Sequence, residues 1–308
     1  MYPSIRNHIP FTGINEDHVE EHTVPNWLAR RLDKNDVLVV PGAFDPFSAR
    51  LAALAGHEAV YVGGYSSLAA GHGLPDLGIA GRTDMVEIHR RIHSATRIPV
   101  IVDADTGYGG PASIRRTILD LAQIGVAAVQ IEDQVNPKKC GHLEHKQVVG
   151  IDEAVLRVRV AVEAAHETGT AIIARTDALQ QFGVGAAIER SNLFLQAGAT
   201  AVFVDAPHTV EEIAAIPRDV EGPLVFNAAA TGRGPALAVT ELEDLGYAMV
   251  IFPIEAFLAA MSGARRALAD LKQFGRVDTD PFITFDEVNE ILGVHDVVAW
   301  ERRLLLDH

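Results

Sequence analysis

The chain has 308 residues, with 41 acidic against 26 basic side chains, a formal charge of −15 and no lysine/arginine cluster. That balance argues against nucleic acid and anionic membrane surfaces as partners, and no apolar run reaches the length of a membrane span. The first residues, with His8, Glu16, Asp17, Glu20 and Glu21, lack a basic start followed by an apolar core, so a cytoplasmic protein is expected.

Residues 1–36 read as an acidic leader ending in a short helix around Trp27 to Leu32. Short β-rich apolar runs then alternate with longer amphipathic segments. The runs are Val37 to Pro41, Ala59 to Gly63, Val100 to Asp103, Ala127 to Ile131, Ala171 to Arg175, Ala201 to Val204, Pro223 to Phe226 and Met249 to Phe252. Between them, Met85, Ile88 and Ile92, then Val155, Val158, Val162 and Ala165, then Phe257, Met261, Ala264, Leu268 and Leu271, recur at helical spacing. Asp45-Pro46 and Thr209 read as helix starts. Residues 276–308 carry further helical patterns around Phe285 to Leu292 and Val297 to Leu306. Near-continuous apolar strands alternating with helices call for a parallel sheet covered by helices, and eight such units predict an α/β (β/α)8 TIM barrel over residues 37–275. An open doubly wound sheet is the alternative, but no Gly-rich phosphate loop follows the first run, which continues Pro41-Gly42-Ala43-Phe44. The leader and the extension at 276–308 either cover a barrel end or make subunit contacts, and the second role is favoured.

In a parallel barrel the strand C-termini form the active rim. Here the runs end in Asp103-Ala104-Asp105, Glu132-Asp133, Arg175-Thr176-Asp177, Asp205 and Asn227, and the loop after the second run holds Asp76. One such acid reads equally well as a helix cap. Several on one rim repel one another and need a compensating cation. All-oxygen donors favour a hard ion, Mg²⁺ with Mn²⁺ as a substitute, with Asp103 as direct ligand and Asp105, Asp76 and Glu132 holding coordinated waters. Zinc is disfavoured, because the 13 histidines are scattered and His142 and His145 read as loop residues. The only cysteine, Cys140, rules out a disulfide framework. A lone cysteine is usually a packing residue, but Pro137, Lys138, Lys139 and Gly141 describe a polar loop whose cations favour a thiolate.

Together, Asp103 to Gly109, Glu132-Asp133-Gln134, Lys138 to His142, Arg175-Thr176-Asp177 and Gly73 to Gly78 resemble the isocitrate lyase and phosphoenolpyruvate mutase superfamily over about residues 37–275. The Lys-Lys-Cys-Gly-His loop is similar to that of its carbon–carbon lyases, those acting on isocitrate, 2-methylisocitrate and 2-substituted malates. The resemblance implies cleavage of a 2-hydroxy di- or tricarboxylate into an α-keto acid and a second carboxylate. In that reading Arg175 grips carboxylate or enolate oxygens, Cys140 protonates the enolate with His142 or bound substrate keeping its proton in place, and Lys138 and Glu132 complete the catalytic set. Tyr61, Gly63, Gly64, Tyr65, Gly141, Asp205, Asn227 and Arg233 are the expected substrate contacts, and the loop from Asn136 to Val149 a lid hinged at Gly141. Three departures bear on the pocket: Gly63-Gly64 where relatives have Ser-Gly, Gln130 where histidine is common, and Asp205 where glutamate is common. Oxaloacetate decarboxylation, phosphonate chemistry and a catalytically silent keto-acid-binding barrel are the competing readings. The family also implies a homotetramer that exchanges the segment Ile254 to Phe274.

Overall fold

The computed structural model describes residues 26–139, 146–229, 234–279 and 282–306. Eight parallel strands alternate with helices: β1 Leu38–Pro41, β2 Val60–Val62, β3 Val100–Asp103, β4 Ala128–Glu132, β5 Ala171–Thr176, β6 Ala201–Val204, β7 Leu224–Asn227 and β8 Met249–Phe252. Each lies within a residue of its predicted run. The sheet runs β1-β8-β7-β6-β5-β4-β3-β2. The remaining seam, between β1 and β2, is joined by one parallel bridge from Gly42 to Tyr61, with Ala43 N donating to Tyr61 O at 2.8 Å. The fold is therefore a (β/α)8 barrel, nearly closed. On its other side Gly42 meets the end of β8, where a Cβ would clash with the Pro253 carbonyl oxygen.

Strand side chains alternate in and out. The inward set includes Leu38, Val40, Tyr61, Ile101, Ala128, Ala171, Ile173, Ala201, Phe203, Val225, Met249 and Ile251, which form one buried cluster. Leu28 and Leu32 of α1 (Trp27–Leu32) belong to the same cluster. The helix is held by Asn26 N on Gly169 O at 2.7 Å and by the buried Arg31 paired with Asp36 at 3.0 Å and Glu58 at 2.8 Å. Helix α1 thus covers the bottom of the barrel, the first of the two roles expected of the additions.

Outward strand residues pack against the surrounding helices. These are α2 Pro46–Leu54, α3 Gly64–His72, α4 Arg82–Ala95, α5 Pro111–Ile124, α6 Ile151–His166, α7 Leu179–Gln196, α8 Val210–Asp219 and α9 Val239–Leu245, and α10 Glu255–Phe274 follows β8. The expected starts are present: Asp45 accepts from Ser48 N at 2.7 Å and Thr209 from Glu212 N at 3.1 Å. The stripe on α4 is buried at Met85, Ile88 and Ile92. The stripe on α10 differs, since the helix buries no residue and leaves Leu268 67% and Phe274 62% exposed. Beyond it lie α11 Phe285–Leu292 and α12 Val294–Leu306, the latter starting three residues before the predicted segment.

Candidate active site

The period-two alternation that fills the barrel also builds its mouth. Continuing the inward positions by one step turns Ile101 into Asp103, Ala128 into Gln130 and Glu132, Ile173 into Arg175, Phe203 into Asp205 and Val225 into Asn227. Register puts Asp103 beside Gln130 and Glu132 beside Arg175. Tyr61, Gly63, Gly64, Tyr65, Asp76, Asp103, Lys138, Arg175, Asp205 and Asn227 all line one cleft of about 520 Å³, open mouth included. Phe203, Ile251, Pro253 and Ile254 add an apolar side to it that the sequence did not reveal. Cys140, Gly141, His142 and Arg233 lie outside the described residues.

The turn after β3 aims the acids. Asp105 adopts φ 50° and Tyr108 φ 59°, left-handed values uncommon outside glycine, and Gly107 N closes the turn on Ala104 O at 2.9 Å. Asp105 N donates to Asp103 Oδ1 at 3.0 Å. On the other side of Asp103, Tyr61 Oη donates to Gln130 Oε1 at 3.0 Å, and Gln130 Nε2 donates to Asp103 Oδ1 at 3.3 Å. Burial and the Asp103 charge push the Tyr61 hydroxyl well above its ordinary value, so it remains the donor and sets the direction of this relay.

Lys138 Nζ sits between Asp76 and Asp105, 2.6 Å from Asp105 Oδ1. Burial opposes its charge, yet Asp105, Asp103, Glu132 and Asp76 together raise its pKa and keep it an ammonium. Burial pushes Asp105 up to about 7 against the pull of Lys138, with Asp103 and Asp76 adding to the rise. Its neighbour in sequence is clamped too: Gln134 accepts from Lys139 N at 3.0 Å and donates to Lys139 O at 2.9 Å. An antiparallel bridge from Gln134 to Val148 joins the two arms of the loop below residues 140–145.

A second network lies deeper. Arg175 donates to Asp177 from Nε at 2.9 Å and from Nη2 at 2.8 Å, reaches Asp205 Oδ2 from Nη2 at 3.0 Å, and stands 3.4 Å from Glu132 Oε2. The Phe203 ring lies 5.3 Å from its guanidinium carbon. Lys146, which sequence reasoning missed, binds Asp177 Oδ1 at 2.5 Å and Asp205 Oδ2 at 2.6 Å. A lysine in a polar loop reads as solvated, so only a tertiary contact identifies it. Asp133 is structural rather than catalytic. It accepts from Thr176 Oγ1 at 2.7 Å, Asp177 N at 2.9 Å and Arg190 Nη1 at 3.0 Å, which fixes the end of β5.

The described residues contain no group of three or more His, Cys, Asp or Glu side chains gathered as a metal site. The donor set nevertheless fits a hard cation. Asp76, Asp103, Asp105 and Glu132 are buried oxygen donors, and Glu132 Oε1 has no hydrogen-bond partner among the described residues. Burial, with Asp177 and Asp103 adding to it, pushes Glu132 well above the ordinary carboxyl range despite Arg175 and Lys138.

Residues 28–272 match the family described as phosphoenolpyruvate phosphomutase. The 2-methylisocitrate lyase of Aeropyrum pernix is 36% identical over 275 residues, 88% of each chain. The 2,3-dimethylmalate lyase of Eubacterium barkeri is 36% identical over 86% of this chain and 93% of its own. Among solved structures, oxaloacetate acetylhydrolase with 3,3-difluorooxalacetate superposes with a TM-score of 0.88 at 32% identity, covering 92% of this chain and 97% of that one. Phosphonopyruvate hydrolase, in complex with oxalate and Mg²⁺, gives 0.81 at 27% identity, covering 90% and 98%. Eight strand ends, their carboxylates and the matched span agree: the chain belongs to the phosphoenolpyruvate mutase/isocitrate lyase superfamily of barrel enzymes.

Proposed function

We propose that the protein is a Mg²⁺-dependent carbon–carbon lyase that cleaves a 2-hydroxy di- or tricarboxylate, 2-methylisocitrate or a 2-alkylmalate, to pyruvate or another α-keto acid plus a second carboxylate. The observation that carries this reading is Lys138. It is the first residue of the Lys-Lys-Cys-Gly-His run, and its ammonium is anchored on Asp76 and Asp105 inside the cleft, two residues before the only thiol. Lyase relatives at 36% identity support it.

Asp103, with Asp105, Asp76 and Glu132 through water, would hold the divalent ion, which supplies Lewis-acid stabilisation of developing negative charge. Arg175 presents a preorganised guanidinium to a substrate carboxylate, its plane set by Asp177. The apolar side at Phe203, Ile251, Pro253 and Ile254 excludes water from the carbon that becomes carbanionic. Cys140 delivers the proton to that carbon from the loop, and His142 keeps the thiol protonated. The catalytic barrel is assigned to residues 37–275, with 1–36 and 276–308 as additions. The uncovered apolar stripe on α10 supports a homotetramer exchanging this helix, which light scattering tests. No helix among the described residues is long and apolar enough to cross a membrane, in keeping with a cytoplasmic enzyme acting on small carboxylates.

The test is a Mg²⁺-dependent screen of 2-methylisocitrate, isocitrate, 2,3-dimethylmalate, oxaloacetate and phosphonopyruvate, reading keto-acid release and its loss with a chelator. Pyruvate or glyoxylate from a hydroxy acid, abolished in Cys140→Ala with oxalate binding retained, supports the lyase. The fold match to oxaloacetate acetylhydrolase favours a second reading. Release of oxalate and acetate from oxaloacetate alone would replace the first reading by hydrolysis.

A further inference from the structure

Lys146 and Arg175 share the same two carboxylate oxygens. Lys146 Nζ and Arg175 Nη2 both contact Asp177 Oδ1, at 2.5 and 2.8 Å, and both contact Asp205 Oδ2, at 2.6 and 3.0 Å. The four atoms close a ring of alternating charge, and the Lys146 side chain within it is fully buried. Burying a lysine without solvent is costly unless it is paired with charge, and here two acids pair it. The ring is also lopsided. Glu132 is a third acid on Arg175, so the cations are outnumbered even with Lys146 present.

We propose that Lys146 is a positioning residue, whose ammonium neutralises the two oxygens shared with Arg175 and so holds the guanidinium in the plane that meets the substrate carboxylate.

The geometry gives each partner a distinct part. Asp177 engages Nε and Nη2 of Arg175, and Asp205 takes Nη2 again, which leaves Nη1 as the nitrogen without a hydrogen-bond partner among the described residues. Arg175 lines the cleft, and this assignment makes Nη1 the donor kept for ligand. Without Lys146, Asp177, Asp205 and Glu132 would compete for one guanidinium, drawing Nη1 into protein contacts and setting net negative charge against an incoming anion. Opposing effects of burial and of the two cations meet at Asp177, and the cations win: Arg175 and Lys146 hold its carboxyl below the usual range. Lys146 also follows directly on residues 140–145, so the ring ties one root of the Cys140 loop to the residue that grips the substrate.

This inference rests on reading the cleft as a keto-acid site, and oxalate serves as a probe independent of turnover. Oxalate is titrated calorimetrically into wild type and Lys146→Met with Mg²⁺ present, while Mn²⁺ affinity is read by electron paramagnetic resonance. Failure of wild type to bind oxalate would sink the keto-acid reading itself. If wild type binds, Lys146→Met should weaken oxalate at least tenfold and raise KM by a similar factor, with Mn²⁺ affinity within twofold, because Asp103, Asp76 and Asp105 lie outside the ring and Glu132 would reach the ion only through water. Oxalate affinity equal to wild type overturns the proposal. So does parallel loss of oxalate and Mn²⁺ binding, which marks general damage. Should Lys146→Met not fold, Lys146→Gln removes the same charge while keeping an amide donor for Asp177 and Asp205. It should weaken oxalate at least tenfold, and wild-type affinity there also overturns the assignment.

Discussion

His89 offers a sharp test of the core. It sits on the inner face of α4 among Met85, Ile88 and Ile92, is fully buried, and neither ring nitrogen has a hydrogen-bond partner among the described residues. Burial lowers its pKa from 6.5 to about 4, against a smaller upward pull from Asp103. The sign follows from the direction. A base whose folded pKa is depressed contributes stability present above the unfolded value near 6.5 and lost as pH falls through about 4. At 1.36 kcal/mol per unit, that is about 3 kcal/mol in full and about 2 kcal/mol by pH 5. Replacing His89 by Leu removes the titration and two buried polar atoms without partners, each worth about 1–3 kcal/mol when unsatisfied. We expect His89→Leu to gain about 1–3 kcal/mol at pH 7.5, a rise of roughly 2–4 °C in Tm per kcal/mol, and to widen its lead over wild type at pH 5. Differential scanning calorimetry at the two pH values measures both effects. A lower Tm at pH 7.5, or an unchanged gap at pH 5, would refute the reasoning.

Three further outcomes are expected. Arg190→Met strands the buried Asp133 carboxylate and releases Val149 O, which Arg190 Nη2 binds at 2.9 Å, so urea unfolding should show a loss of about 3–5 kcal/mol. Gly42→Ala drives a Cβ onto the Pro253 carbonyl where β1 meets the end of β8 and should cost about 1–3 kcal/mol; a Tm within a degree of wild type would show that this junction yields freely. Lys138→Gln removes the ammonium that occupies Asp76 and Asp105, so Mn²⁺ should bind about tenfold tighter while turnover falls; unchanged or weaker Mn²⁺ binding would remove Lys138 from competition with the metal.

Most of the barrel was legible in the chain because its causes are local. Apolar runs of four or five residues between helical stripes define each strand and helix, and the same period of two that buries Ile101, Ile173 and Phe203 carries Asp103, Arg175 and Asp205 to the rim. The rim acids and Arg175 could therefore be named from their positions at run ends, before any contact was known. Lys146 could not: its role depends on Asp177 and Asp205, 31 and 59 residues away, meeting over the loop root. The relay from Tyr61 through Gln130 to Asp103 is likewise a product of three adjacent strands. The plugging of the barrel floor by α1 depends on where the strand N-termini open. The sequence by itself determined which groups stand at the mouth, since strand alternation and run length are properties of neighbours in the chain. Tertiary structure alone decided how those groups pair, because opposite charges far apart in sequence settle on partners only when closure of the barrel removes water from between them.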